Sequence, residues 1–167
     1  MKVIGVIPAH LASVRLEQKV LIKFYGLEMI EHVRRRAVLS NVFSDVYVAT
    51  GDNIISNLIK SHGGKVLQTY KKHESGTSRV AEAIDRTNAT HVVLIQGDEP
   101  LMLPEHLESM NSSIYKKPEI DSWNATADLE DAHQLDKHSF VKCVVSEENK
   151  ILFCFRRSPS FSAFERN

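Results

Sequence analysis

Gln96-Gly97-Asp98-Glu99-Pro100 sets an amide, a glycine and two carboxylates directly after the apolar run Val92-Val93-Leu94-Ile95. A uniformly apolar run of this kind marks a strand buried on both faces. A parallel strand that ends this way delivers polar groups to the carboxyl edge of a sheet, where open α/β folds bind ligands. Two acids beside a glycine suit a hard cation and the phosphate it carries. The plainer alternative is an acidic turn in which Asp98 or Glu99 caps the following helix.

Two further segments hold groups of the complementary kind. Pro8-Ala9-His10-Leu11-Ala12-Ser13-Val14-Arg15-Leu16-Glu17-Gln18-Lys19 follows the apolar run Val3–Ile7. Ser13, Arg15 and Lys19 could surround a polyphosphate, Arg as a fork of donors and Lys as a mobile point charge. The loop has neither a Walker pattern nor a dinucleotide G-x-G-x-x-G, so a solvated basic loop is the alternative. His73-Glu74-Ser75-Gly76-Thr77-Ser78-Arg79 places Ser-Gly-Thr at a helix start, with N–H groups and hydroxyls at the positive end of the dipole. Gly76 admits a ligand close to the backbone. Arg79, in the first turn, is at the wrong end for a cation unless it faces a ligand or an acid. A simple capping turn is the alternative here.

Elements that alternate along the chain must position these loops. Strands are expected at Val3–Ile7, Asp45–Thr50, Lys65–Gln68, His91–Ile95 (as the central strand), Trp123–Leu129, Phe140–Val145 and Lys150–Phe155. Helices are expected at Met29–Leu39, with Ile30, Val33, Ala37 and Val38 on the apolar side, at Ile54–Ser61 closed by Gly63-Gly64, at Ser78–Thr87 capped by Ser75 or Thr77, and at Pro104–Ser113. This order predicts an α/β protein with three layers, α/β/α, around a mostly parallel sheet. Arg34-Arg35-Arg36 reads as a solvated helix face, while Trp123, Cys143 and Cys154 read as core.

Composition narrows the class further. The 167 residues suit a single domain spanning 1–167. Hydrophobic residues make up 43% and charged residues 25%, ordinary for a globular chain. Lys plus Arg and Asp plus Glu balance at 21 each, so no global field argues for nucleic acid or a membrane surface. No apolar run suits a membrane span, and Met1–Pro8 lacks the form of a signal peptide. Two cysteines in apolar stretches read as reduced thiols of a cytoplasmic protein. His133, His138 and Cys143 have a spacing some zinc sites use, but no second Cys pair completes one.

Together the three loops resemble the 3-deoxy-manno-octulosonate (Kdo) cytidylyltransferases, the CMP-Kdo synthetases. Ile7–Leu21 is similar to their I-P-A-R-x-x-S-x-R-L-P-x-K-P-L, His73–Arg79 to H-x-S-G-T-x-R, and Gln96–Pro100 matches Q-G-D-E-P. Val141–Val144 and Phe155–Arg157 resemble a later V-K-V-V and F-S-R. The resemblance implies a nucleotide-diphospho-sugar transferase-like fold and transfer of CMP from CTP to a 2-keto sugar acid such as Kdo, releasing pyrophosphate. It would belong to lipopolysaccharide or capsule biosynthesis. Carried over, Ala9, His10, Ser13, Arg15 and Lys19 would hold CTP, and Ser75, Gly76, Thr77 and Arg79 the nucleotide, with Arg79 near the cytosine. Gln96 would reach the sugar side, and Asp98 would bind Mg²⁺. Arg15, Lys19 and Asp98 are the implied catalytic groups. A homodimer is left open.

The chain also departs from that pattern. His10 replaces an Arg, Glu17 and Val20 replace prolines, and Arg156 replaces the Ser of F-S-R. The family's C-terminal part, with a second metal-binding Asp, is not covered. A nucleotide-binding or interaction module that has lost turnover therefore remains an alternative, as does a synthetase for another acidic sugar.

Overall fold

The structure, a computed structural model, describes residues 1–12 and 16–157. They pack as two compact units, divided after Asp121. In the first unit the strands β1 (Val3–Pro8), β4 (Asp45–Thr50), β5 (Lys65–Gln68) and β6 (His91–Leu94) form one parallel sheet in the order β5-β4-β1-β6. A short antiparallel hairpin, β2 (Lys23–Phe24) and β3 (Leu27–Glu28), precedes α1 (Met29–Leu39). The other helices of this unit are α2 (Asn53–Ser61), α3 (Gly76–Ile84) and α4 (Pro104–Lys116).

The period of two along β1 sends its side chains to two separate layers. Ile4 and Val6 pack with Val80 and Ala83 of α3. The opposite face carries Val3, Gly5 and Ile7, and Ile7 and Ile30 of α1 both border Gly97. Helices thus cover both faces, and Val3, Ile4, Val6 and Ile7 are all buried. The mostly parallel three-layer architecture expected from the alternation is present.

Local chemistry explains the element ends. Gly63, at φ +72°, closes α2: its N–H reaches Lys60 O at 2.9 Å, and Gly64 N–H reaches Ile59 O at 2.8 Å. This is the Schellman arrangement. Ser75 caps α3 by accepting the Ser78 N–H at 3.1 Å, and Ser78 Oγ lies near the Ser75 N–H in return. Pro104 opens α4, where its missing N–H costs nothing.

Several expectations need correction. His91–Leu94 is an edge strand of the described sheet, whereas β1 and β4 are the inner strands. Apolar composition reports cover on the faces and says nothing about lateral neighbours. Trp123–Leu129 forms no strand, since alternation without a hydrogen-bonding partner makes no ladder. Arg34 is not on a solvated face: it is 11% exposed and donates to Glu31, which has no solvent exposure, whereas Arg35 also donates to Glu31 but stays 52% exposed as expected. Val38 is half out in solvent, 800° of helix turn from Ile30 at 100° per residue, while Glu31 takes an inward place.

Burial pushes the Glu31 carboxyl up, but hydrogen bonds from Arg34 and Arg35 outweigh that and hold it below the usual carboxylate value. Glu28 beside it is also lowered, against its own burial, by hydrogen bonds from its backbone and Lys23.

The second unit contains a short 3-10 turn, Ala132–Leu135, and an antiparallel hairpin, β7 (Lys142–Val145) and β8 (Ile151–Phe155). Lys142 is buried, and its ammonium donates to the carbonyls of Lys137, Phe140 and Arg156. The turn between the strands places Asn149 at φ +61°. Cys143 and Cys154 face each other across the hairpin with sulfurs 3.1 Å apart. Cys154 is exposed and Cys143 half-buried, which corrects the expectation of two core thiols.

Candidate active site

The order β5-β4-β1-β6 reverses direction at β1. The crevice of an open parallel sheet lies at such a switch point, outside the carboxyl ends of the strands. The loop after β1 and the Q-G-D-E-P segment after β6 therefore leave the sheet side by side. The start of α3 joins them. A Cβ on Gly76 would lie 3.0 Å from Pro8 Cγ; one on Gly97 would lie 3.1 Å from the Pro8 carbonyl and 3.0 Å from Ile30 Cδ1. Glycine lets the backbone come this close without any neighbour having to give way. All three motifs thus gather around the last residue of β1.

Lys19 and Asp98, which are 79 positions apart, form an ion pair in this crevice. Their side chains are 26% and 38% exposed, so both remain within reach of a ligand. The segment after β1 is held from the neighbouring strand: Leu11 N–H donates to Asp52 at 3.0 Å, and Ala9 N–H to Ala49 O at 2.9 Å. Gln18 N–H returns to Leu11 O at 3.2 Å and closes the loop. Val20, in the 3-10 turn Lys19–Leu21, is buried and anchors Lys19 from below in sequence.

Arg79 is the third charged group. It is 9% exposed, and its guanidinium donates to Thr69 Oγ1 at 2.7 Å. Among the described residues no carboxylate lies within ion-pair distance of it. A buried cation without an acid is costly unless a ligand supplies the counter-charge or a π face. It borders Gly51, at 3.6 Å from a Cβ there, and so lies at the carboxyl edge of β4 and β5.

The other site candidates fall as follows. Ser75 and Thr77 are exposed at the α3 N-terminus, and Gln96 is exposed after β6. His10 is exposed beside the buried Ala9, whose N–H is already committed to the sheet. Ser13 and Arg15 lie outside the described residues. Sequence reasoning missed Asp52, Thr69 and Glu82. Asp52 and Thr69 lie within two residues of the carboxyl ends of β4 and β5, and that position was a usable signal. Glu82 had none, because its partners are set by packing of α3 on the segment after β5.

A parallel sheet with acid, base and glycine approaches gathered at its switch point has the form in which open α/β proteins bind ligands. The chain belongs to the cytidylyltransferase family, whose model matches residues 4–167. The 3-deoxy-manno-octulosonate cytidylyltransferase of Geobacter sulfurreducens is 33% identical over 95% of this chain and 63% of its own length. The protein of the same name from Flavobacterium johnsoniae is 35% identical, over 95% of this chain and 65% of its own. This chain thus spans less than two thirds of the length of these relatives. Among solved structures, CMP:2-keto-3-deoxy-manno-octonic acid synthetase complexed with CTP matches with a TM-score of 0.85 and 30% identity, over 100% of this chain and 69% of that one. A cytidylyltransferase from Leptospira borgpetersenii matches with a TM-score of 0.63 and 26% identity, over 72% of this chain and 52% of that one.

Proposed function

We propose that this chain carries the nucleotide-binding and catalytic edge of a cytidylyltransferase that moves CMP from CTP to a 2-keto sugar acid such as Kdo. The observation that carries this reading is the gathering of three motifs around Pro8, with Lys19 and Asp98 paired between two of them. In the reaction the anomeric hydroxyl oxygen of the sugar attacks the α-phosphorus of CTP. The bond from that phosphorus to the bridging oxygen breaks, pyrophosphate leaves with the pair of electrons, and the hydroxyl proton passes to solvent.

Each group has a task in that scheme. Lys19 neutralises phosphate charge, with Arg15 beside it in sequence as a second donor. The α3 N-terminus, with Ser75, Gly76 and Thr77, offers N–H groups and hydroxyls to the nucleotide. Arg79 faces the base, and Gln96 the sugar side. Asp98 suits Mg²⁺: its carboxylate is a hard oxygen donor that already holds a cation, the Lys19 ammonium. Mg²⁺ needs only one or two carboxylates when substrate phosphates complete its shell. Bound there, Mg²⁺ would make the α-phosphorus more electrophilic. In the free protein Lys19 and Asp98 neutralise each other; with Mg²⁺ and CTP bound, Asp98 would serve as the metal's carboxylate ligand and Lys19 would be free for the phosphates. A cytoplasmic setting goes with the use of CTP, and no described helix is long and apolar enough to cross a membrane.

The test is pyrophosphate release from CTP and Mg²⁺, with and without Kdo. Kdo-dependent release, reduced roughly 10²-fold or more in Lys19→Ala and Asp98→Asn, is the expected result. CTP binding without release on a panel of sugar acids would mark the chain as a binding module. No CTP binding at all would sink the proposal.

A further inference from the structure

We propose that Glu82 is a positioning residue for the nucleotide, acting through His73 and the backbone of Tyr70 and Lys71; this rests on the cytidylyltransferase reading above. Glu82 lies on α3, three residues after Arg79 and so on a neighbouring stretch of the same helix face. Its carboxylate accepts the Tyr70 N–H at 2.9 Å and the Lys71 N–H at 3.2 Å. It also accepts His73 Nε2 at 2.6 Å, which assigns the ring proton to that nitrogen. The two side chains are only 6% and 10% exposed. Arg86, at 3.8 Å, closes the cluster from the solvent side and stacks on Tyr70.

These contacts form a brace. The segment between β5 and α3 starts at Thr69, which accepts from Arg79, and ends at Ser75, which caps α3. Glu82 holds the part between them. One helix face therefore fixes three successive points of the segment: Thr69 through Arg79, then Tyr70 with Lys71, and then His73 through Glu82. The N–H groups of Tyr70 and Lys71 belong to no strand or helix, and the carboxylate is what satisfies them. The Tyr70 N–H, followed by the His73 and Lys71 hydrogen bonds, holds the Glu82 carboxyl below its ordinary value despite desolvation, in keeping with an ionised acceptor.

Without Glu82 the segment keeps its two ends and loses its middle. The Thr69–Arg79 contact then loses the support of the residues that follow it, and the approach to Ser75 loosens. Glu82 itself touches no substrate atom. Its effect falls on binding of the nucleotide, with the chemical step left intact once CTP is seated.

The experiment uses the full chain with Glu82→Ala, His73→Ala and His73→Gln. It measures MgCTP affinity by calorimetry, KM and kcat for CTP, and hydrogen exchange at the Tyr70 and Lys71 amides, with circular dichroism to check the fold. The two alanine variants should raise Kd and KM for CTP about tenfold, with kcat within about twofold. The Tyr70 and Lys71 amides should exchange faster in Glu82→Ala. His73→Gln keeps an N–H donor and should restore affinity to within about twofold of the unsubstituted chain. If Glu82→Ala does not fold, the two His73 variants decide by the same comparison. Unchanged KM in the folded alanine variants overturns this inference alone. Absence of MgCTP binding in the unsubstituted chain overturns the proposed function and this inference with it.

Discussion

β1 and β8 are apolar strands of similar length in the two units, yet they meet opposite surroundings. Every residue from Val3 to Ile7 is buried, whereas Ile151, Leu152 and Phe153 are 40%, 62% and 56% exposed. Hydropathy does not separate them. Cover does: α1 and α3 lie on the two faces of the first sheet, while the hairpin β7–β8 forms a separate two-stranded sheet. A two-stranded hairpin by itself is marginally stable in water. The first unit therefore buries its charged Glu31 within packed layers, whereas the second holds its shape with turns and the carbonyl contacts of the buried Lys142.

The comparison breaks hardest at Glu31. Glu31→Ala strands the Arg34 guanidinium in a buried site and should cost about 3–5 kcal/mol in urea unfolding. Ile4→Ala leaves a cavity between β1 and α3 and should cost about 2–5 kcal/mol in the same measurement. A loss under about 1 kcal/mol at either position would show that the first unit is no better packed than the hairpin.

Acid should act on the same unit. The folded carboxyls of Glu31 and Glu28 titrate below their ordinary value of 4.5. Their contribution to stability is thus complete above 4.5 and lost as pH falls through the lower folded values. Thermal melts from neutral pH downward should show a fall in melting temperature that starts below 4.5 and is smaller in Glu31→Gln. An acid response that is the same in both proteins would remove Glu31 from the explanation.

The hairpin should respond to oxidant instead. Cys143 and Cys154 are register partners, and cross-strand Cα spacing falls within disulfide range. Oxidised glutathione should convert the two thiols to one disulfide, releasing two equivalents of reduced glutathione. The Cys143 thiol is pushed up by its hydrogen bond to Cys154, so the reaction should quicken with rising pH. Mass spectrometry should show the loss of a hydrogen pair, and amide exchange should slow at β7 and β8 while β1 stays unchanged. A mixed disulfide with glutathione and no internal bond would show that the strands do not hold this register. The smallest effect is expected of Phe153→Ala, within about 0.5 kcal/mol, as for an exposed position.

Much of this molecule is legible along the chain because its signals are local. The parallel strands, the helices α1 to α4, the Gly63-Gly64 stop and the Ser75 cap each depend on neighbours within a few residues. The hairpin Lys23–Glu28 escaped notice because its strands have two residues each and its turn uses Tyr25 and Gly26 at positive φ. Inward turns and distant pairings were invisible. Arg34 looked like surface charge until Glu31, three residues before it, turned inward and bound it. Glu82 looked like an ordinary helix residue until the segment after β5 folded onto it.

The motifs therefore come from sequence alone: which residues could bind phosphate, which could hold a metal, and the alternation that demands a parallel sheet. Tertiary structure decided that Gly76 and Gly97 press on Pro8 from two directions, that Lys19 meets Asp98, and that His91–Leu94 lies at an edge. The reason is physical. Residue type and short-range spacing determine propensity and chemistry, whereas strand order, burial and charge pairing depend on which distant surfaces the whole chain can bring together and keep from water.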